Sequence, residues 1–166
     1  MHISQCPRSF ALVFALTLLA GALAAQSDTA RNPIIGTWEI SFYSSANPPA
    51  FKPIPGLITF TSDGTVIESD GGEVAPTSTP VGTQYGTTGQ GVWQDEGEKG
   101  IHMKLIEIFA NSDNTLGARG VLRFALQVNE AKNTIAGEGN FVFYDPKGNV
   151  LANGTENIRG WRVHIE

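Results

Sequence analysis

The chain has 166 residues, of which 41% are hydrophobic and 16% are charged. These values are ordinary for one globular domain and exclude disorder of the whole chain. The formal net charge is −5, and the 11 Lys and Arg residues are scattered singly, so the clustered positive field that nucleic acid requires is missing. We therefore expect no nucleic-acid partner.

The first 25 residues have the layout of a cleavable signal peptide. A polar start that contains Arg8 precedes an apolar run at residues 10–20, and small residues follow at 22–24. The run is shorter than the ~20 residues that a membrane-spanning helix needs, so we expect no stable membrane anchor. The pattern predicts a protein that is secreted or periplasmic after cleavage. Cleavage would also remove Cys6, the one cysteine, so the mature domain can form no internal disulfide.

Residues 26–33 are predicted to form a polar N-terminal joint, and residues 34–166 a single β-domain. In this domain, short apolar stretches are divided by Gly, Asn, Asp and Pro, which is typical of strands and turns. The predicted strands are 34–43, 56–61, 64–68, 89–94, 100–111, 118–129, 134–144 and 150–165. Two longer segments, 44–55 and 69–88, are predicted to be loops, either functional lids or plain insertions.

Several links between the predicted strands are short and carry turn residues, as at Asp63-Gly64 and Asp145-Pro146. Links this short join neighbouring antiparallel strands, because parallel pairs need long crossovers. The sequence therefore predicts an all-β fold with a single antiparallel up-and-down β-barrel of about eight strands. Closing the sheet into a barrel removes the two exposed edges that an open meander would have. A two-layer sandwich is the alternative fold.

Three residues at the start of the first strand carry a family resemblance. Gly36-Thr37-Trp38, within NPIIGTWEISFY, resembles the Gly-x-Trp signature that opens the lipocalin and wider calycin barrels. In that family an arginine near the end of the chain packs over the signature tryptophan. The last predicted strand contains Arg159 and Arg162, and we favour Arg162 for this cation–π stack. The resemblance implies that Gly36, Trp38 and Arg162 are structural.

Longer segments support the same resemblance. LITFTSDGTVIESD and FVFYDPKGNVLANGT are similar to segments of small lipocalin-like bacterial proteins. The resemblance implies a lipocalin-like, calycin-type secreted β-barrel whose partner is a small apolar ligand.

Glu107 is the most informative residue of the predicted interior. Alternation along its strand places it on the more apolar face, together with Met103, Leu105 and Phe109. If that face lines the lumen, desolvation raises the pKa of Glu107, and the carboxyl anchors a ligand or transfers a proton. Two structural alternatives are that a β-bulge turns Glu107 outward and that an inward Arg123 neutralises it for stability alone.

The candidate ligand-binding residues come from the more hydrophobic face of each predicted strand. They are Phe42, Phe60, Trp93, Met103, Leu105, Glu107, Phe109, Phe124, Phe141 and Phe143. His102 and His164 lack companions at metal-ligand spacing, so we expect no metal site. We expect no cofactor either, because the sequence has no glycine-rich phosphate loop and no Gly-x-Ser-x-Gly elbow.

Three functions agree with this sequence. The favoured one is an exported lipocalin-like protein that binds a small apolar molecule inside its β-barrel. The first alternative is a cofactor-independent cyclase or isomerase that uses a buried carboxylate, with Glu107 as the candidate catalytic residue. The second is a protein-interaction module with a closed core.

Overall fold

The computed structural model describes residues 32–46, 52–71, 74–75, 84–97 and 100–164. The predicted signal peptide and residues 26–31 of the predicted joint lie outside these ranges. Within them, no helix is long and apolar enough to span a bilayer.

Most of the described residues belong to β-strands. The strands are β1 (Gly36–Ser44), β2 (Ile54–Phe60), β3 (Thr65–Asp70), β4 (Val74–Ala75), β5 (Gln84–Gly86), β6 (Gly89–Asp95), β7 (Ile101–Asn111), β8 (Leu116–Asn129), β9 (Thr134–Tyr144) and β10 (Val150–Arg162). A single turn of 3₁₀ helix, Glu130–Lys132, connects β8 to β9. The predicted strands agree with the eight longer observed ones to within about three residues at each end.

The sheet closes on itself. Its order runs β7-β6-β3-β2-β1-β10-β9-β8, and β8 pairs again with β7. All of these pairs are antiparallel. Neighbours in the barrel follow each other along the chain, except that β4 and β5 come between β3 and β6 and that the first strand, β1, pairs with the last, β10. The prediction of a single antiparallel up-and-down barrel of eight strands is confirmed, and the sandwich alternative is wrong.

The segment 69–88 was predicted to be a loop, and this prediction is wrong in part. It contains β4, β5 and the last two residues of β3. The physical reason lies in β7, which pairs with β6 only as far as Ile106. The backbone beyond that point needs other hydrogen-bond partners, and β5 supplies them by pairing with residues 109–111. Thr87 fills the gap, since its backbone N–H donates to the carbonyl oxygen of Ile108 at 2.9 Å.

The barrel interior follows the alternation of side chains along the strands. On β7, for example, Ile101, Met103 and Leu105 are buried, whereas His102 and Lys104 are exposed. Burial of apolar surface is the main force that stabilises such a fold. The packed core comprises Ile34, Trp38, Ile40, Phe42, Ile58, Phe60, Val66, Ile101, Met103, Leu105, Leu122, Phe124, Leu126, Ile135 and Ile158.

Trp38 and Arg162 close one end of the barrel, which we call the base. The Trp38 side chain is 0% exposed, and its indole Nε1 donates to the carbonyl oxygen of Ile34 at 2.8 Å. The Arg162 guanidinium carbon lies 4.2 Å from the centre of the Trp38 ring. The same guanidinium donates to the carbonyl oxygens of Ile35, at 2.9 Å, and of Pro33. The stack that the family resemblance implied is therefore present.

Gly36 makes room for this stack. Its φ of 134° lies in a region that favours glycine. A Cβ atom at this position would stand 2.9 Å from Nη1 of Arg162. The first residue of the Gly-x-Trp pattern is thus explained by the space that the guanidinium occupies.

Gly91 permits a close approach of two strands, and its replacement is our first testable prediction. A Cβ atom at Gly91 would lie 1.8 Å from the carbonyl oxygen of Lys104, so β6 and β7 would have to separate. We expect Gly91→Ala to lower the free energy of unfolding by ~1–3 kcal/mol or more, measured by urea denaturation. Gly71→Ala is the control, because its new Cβ would meet nothing nearer than 3.7 Å. Equal stability of the two variants would contradict the prediction.

Candidate functional site

A cavity of about 230 Å³ lies at the end of the barrel away from the base. We call it the mouth cavity. Its wall consists of Phe42, Ile54, Asp70, Thr87, Glu107, Phe109, Leu122, Phe141, Phe143 and Glu156. Thr87 is exposed, which places it at the rim. The two segments predicted to be loops, 44–55 and 69–88, begin and end at this mouth, and their role as lids stays a prediction.

The ten predicted ligand-binding residues separate into two groups in the structure. Those that line the mouth cavity are Phe42, Glu107, Phe109, Phe141 and Phe143. Those that face inward nearer the base are Phe60, Trp93, Met103, Leu105 and Phe124. The second group packs tightly, as shown by the T-shaped contact of Phe60 and Trp93 with ring centres 6.0 Å apart. The structure thus brings half of the predicted set together around the mouth cavity, and ligand binding by any of the ten stays a prediction.

A second depression, of about 550 Å³, lies across β6, β7, β8 and β9. It is larger and more open, and much of its wall is formed by exposed, outward side chains such as Gln94, His102, Lys104 and Arg123. Ligand sites are usually concave and mostly apolar, with a few polar groups. The mouth cavity matches that description better, so we take it as the candidate site.

Phenylalanine rings form the apolar part of the mouth cavity. Phe143 contacts Phe109 and Phe141, in each case with ring centres 5.5 Å apart and the ring planes inclined. Inclined contacts of this kind are the favourable geometry for aromatic pairs. The rings therefore support one another and present an apolar surface to whatever occupies the cavity.

Glu107 faces the interior. Its side chain is 9% exposed, whereas its outward neighbour Ile106 is 37% exposed. The pairing register between β7 and β8 does shift, but beyond Glu107, between Phe109 and Ala110, and the extra residue there is Gly117 of β8. The alternative in which a bulge turns Glu107 outward is therefore wrong.

Arg123 does not neutralise Glu107 from inside the barrel. It is exposed, it alternates with the buried Leu122 and Phe124, and it lies opposite Lys104 on the outer face. That alternative is also wrong, because alternation carries Arg123 to the solvent side. The predicted rise in the pKa of Glu107 stays a prediction.

Two glycines make room for buried carboxylates. A Cβ atom at Gly89 would lie 2.9 Å from Oε2 of Glu68 and 3.5 Å from Oε1 of Glu107. A Cβ atom at Gly120 would lie 3.4 Å from Oε2 of Glu107. The carboxylates of Glu68 and Glu107 therefore border the same space, which the missing side chain of Gly89 leaves open.

Glu156 contributes a further carboxyl group to the cavity. It lies on β10 between Ser44 of β1 and Gly139 of β9, and it is 6% exposed. Its Oε1 atom is buried and has no hydrogen-bond partner among the described residues. Burial, followed by the negative charge of Asp70, raises the pKa of Glu156 to about 7. At neutral pH, this carboxyl group is therefore divided between its protonated and ionised forms.

Three acidic residues at this site were not predicted from the sequence: Glu68, Asp70 and Glu156. A signal for Glu156 existed, because it alternates with the inward residues Ile158 and Gly160. The preceding residues 152–155 are small or polar, however, so the first half of this strand shows no apolar face. Glu68 and Asp70 likewise alternate with Val66, but the predicted third strand ended before Asp70.

The charges around the mouth cavity have one sign. Asp70, Glu107 and Glu156 line it, and no Lys, Arg or His belongs to the part of its wall that the structure describes. Within the same described ranges, no group of three or more His, Cys, Asp or Glu side chains is arranged to hold a metal ion. The site therefore combines aromatic walls with carboxyl groups, and it fits an apolar molecule or a hydrogen-bond donor.

No protein-family model matches this chain, and neither a curated protein nor a solved structure shows significant similarity to it. The closed eight-stranded barrel is consistent with a calycin-like fold. Function must therefore be argued from the mouth cavity, because one fold of this kind supports many functions.

Proposed function

We propose that this protein is an exported, lipocalin-like protein that binds a small molecule with an apolar body in the mouth cavity. The observation that carries the proposal is an open, phenylalanine-lined cavity inside a closed barrel. The stack of Arg162 on Trp38 supports the lipocalin-like interpretation. The proposed export rests on the signal-peptide pattern of residues 1–25.

The size of the cavity limits the ligand. At about 230 Å³, it is smaller than the ~300–1,000 Å³ pockets that hold drug-sized molecules. A six-carbon body contributes roughly 5 kcal/mol at ~0.8 kcal/mol per buried methylene, against association costs of at least ~4 kcal/mol. The apolar body alone therefore binds weakly, and useful affinity requires a polar anchor in the wall.

The other two functions differ in how well the structure supports them. An interaction module was predicted to have a filled core, and the cavity at the mouth of the barrel favours ligand binding over that function. The cofactor-independent enzyme has one observation in its favour, since a pKa of about 7 suits Glu156 to proton transfer at neutral pH. If a bound molecule is converted, Glu156→Gln should abolish turnover while binding persists.

Binding of n-hexanol tests the proposed function. We expect the protein, expressed from its full chain, to bind hexanol weakly, with a Kd in the range of about 10–100 mM, measured by NMR titration. Leu122→Trp fills the cavity and should remove binding, at a cost of ~1–3 kcal/mol in stability.

Leu57→Trp is the matched control, because Leu57 is exposed on the outer face of β2. It adds the same indole ring outside the cavity and should leave hexanol binding unchanged. If Leu122→Trp stays folded and binds hexanol as the unchanged protein does, the mouth cavity is not the binding site.

A further inference from the structure

The geometry points to a more specific ligand class: we propose that the mouth cavity binds a small organic amine, whose ammonium group contacts the carboxylate of Glu156 and the neighbouring carboxylates of Glu107 and Asp70. The inference rests on the proposed function and adds the chemistry of the ligand. It concerns the head group that a small apolar body would carry into the site.

The acidic groups converge on the cavity from three different strands. Asp70 ends β3, Glu107 lies in the middle of β7 and Glu156 lies in the middle of β10. These strands are not neighbours in the barrel order, so only closure of the sheet brings their side chains to one cavity. Because no basic side chain joins them in the described wall, the site presents a negative field to an incoming molecule.

Glu156 supplies an independent indication of a missing donor. More than nine-tenths of its side chain is buried, it lines the cavity, and its Oε1 has no hydrogen-bond partner among the described residues. Buried polar atoms in native proteins almost always have a partner. An ionised carboxylate only accepts hydrogen bonds, so the partner it requires is a donor.

A protonated amine meets this requirement better than the other head groups. An ammonium group carries three donors and no acceptor, and its charge strengthens hydrogen bonds to carboxylates. A hydroxyl group offers one donor, and a carboxylate ligand would be repelled. The rings of Phe42 and Phe141 complete the site, because aromatic faces attract cations as well as apolar groups.

The charge state of Glu156 gives the site a pH dependence. Its pKa of about 7 results from burial and from the charge of Asp70, and the other acidic groups around it are Glu107 and Glu68. An ammonium ion favours the ionised form of Glu156, so amine binding should tighten as pH rises through this value. Hexylamine itself stays protonated throughout, like a lysine side chain of pKa ≈ 10.4.

Three ligands with the same six-carbon chain test the proposal: n-hexylamine, n-hexanol and hexanoate. Each is titrated into the protein expressed from its full chain, by isothermal titration calorimetry at pH 8. We expect hexylamine to bind at least about tenfold more tightly than hexanol, and hexanoate to show no binding. Equal or tighter binding of hexanol would overturn the amine inference and leave the proposed function standing. If none of the three ligands binds, the amine inference and the proposed function are both overturned.

Glu156→Gln identifies the anchor. The substitution keeps the shape of the side chain and removes its charge, so the preference for hexylamine over hexanol should fall about tenfold. Glu138→Gln, at an exposed position on the neighbouring β9, is the matched control and should keep the full preference. An unchanged preference in Glu156→Gln would overturn the assignment.

The unchanged protein provides a measurement that does not depend on how the variant folds. At pH 5.5, Glu156 is mainly protonated, so hexylamine should lose most of its advantage over hexanol. A preference that is the same at pH 5.5 and pH 8 would count against the role of Glu156.

Discussion

The protein is expected to lose about 3 kcal/mol of unfolding free energy between pH 4.5 and pH 7 through the ionisation of Glu156 alone. The pKa of this group is 4.5 in the unfolded chain and about 7 in the folded protein, because burial and Asp70 disfavour the charge. Between these values the folded state binds more protons than the unfolded state. The contribution of Glu156 to stability is therefore largest below pH 4.5 and falls until the folded group is fully ionised.

Glu156→Gln should remove this contribution. The amide has no charge to desolvate, so the variant should match the unchanged protein at acidic pH and exceed its stability by about 3 kcal/mol at pH 8. Urea denaturation at a series of pH values measures the difference, and subtracting the two profiles isolates Glu156 from the other carboxyl groups. Glu138→Gln should follow the unchanged protein at every pH, because this residue is exposed. If the difference in unfolding free energy between Glu156→Gln and the unchanged protein is the same at every pH, Glu156 does not titrate in this way.

Trp38→Ala should have the largest effect of any single substitution at the base, lowering the free energy of unfolding by about 3–5 kcal/mol. The side chain is 0% exposed, and its loss would leave a cavity and the Ile34 carbonyl without its indole donor. The Arg162 guanidinium would also lose the ring over which it lies at 4.2 Å.

Trp161→Ala is the matched control for Trp38. Trp161 is 58% exposed on the outer face of β10, so its removal should change stability by less than about 1 kcal/mol. Both variants are measured by urea denaturation at a single pH. If Trp38→Ala and Trp161→Ala lower the free energy of unfolding by similar amounts, the stability of the base does not depend on the buried tryptophan.

These two results concern opposite ends of one barrel. At the base, the indole N–H of Trp38 and the guanidinium of Arg162 both donate to backbone carbonyl oxygens. At the mouth, Glu156 is buried at a cost to stability that nothing in the barrel architecture requires. Natural proteins depart from good packing chiefly at functional sites. This contrast is the reason that we place the function at the mouth.

The period-two pattern and the turn residues made most of the fold predictable. Met103, Leu105 and Glu107 were assigned to the inward face from alternation alone, and the structure agrees. The Gly-x-Trp pattern led to the Trp38 and Arg162 pair in the same way. By contrast, β5 was not predicted, because its pairing depends on the free edge of the last residues of β7 rather than on its own composition.

The sequence by itself determined which side of most strands is apolar, where the chain turns, and that one carboxylate, Glu107, lies among hydrophobic residues. Only the tertiary structure decided that Asp70, Glu107 and Glu156 meet at one cavity, and that Arg123 is not among them. The physical reason is that alternation is a local property of each strand. Which side chains share a cavity depends on closure and register between strands that are far apart in the chain.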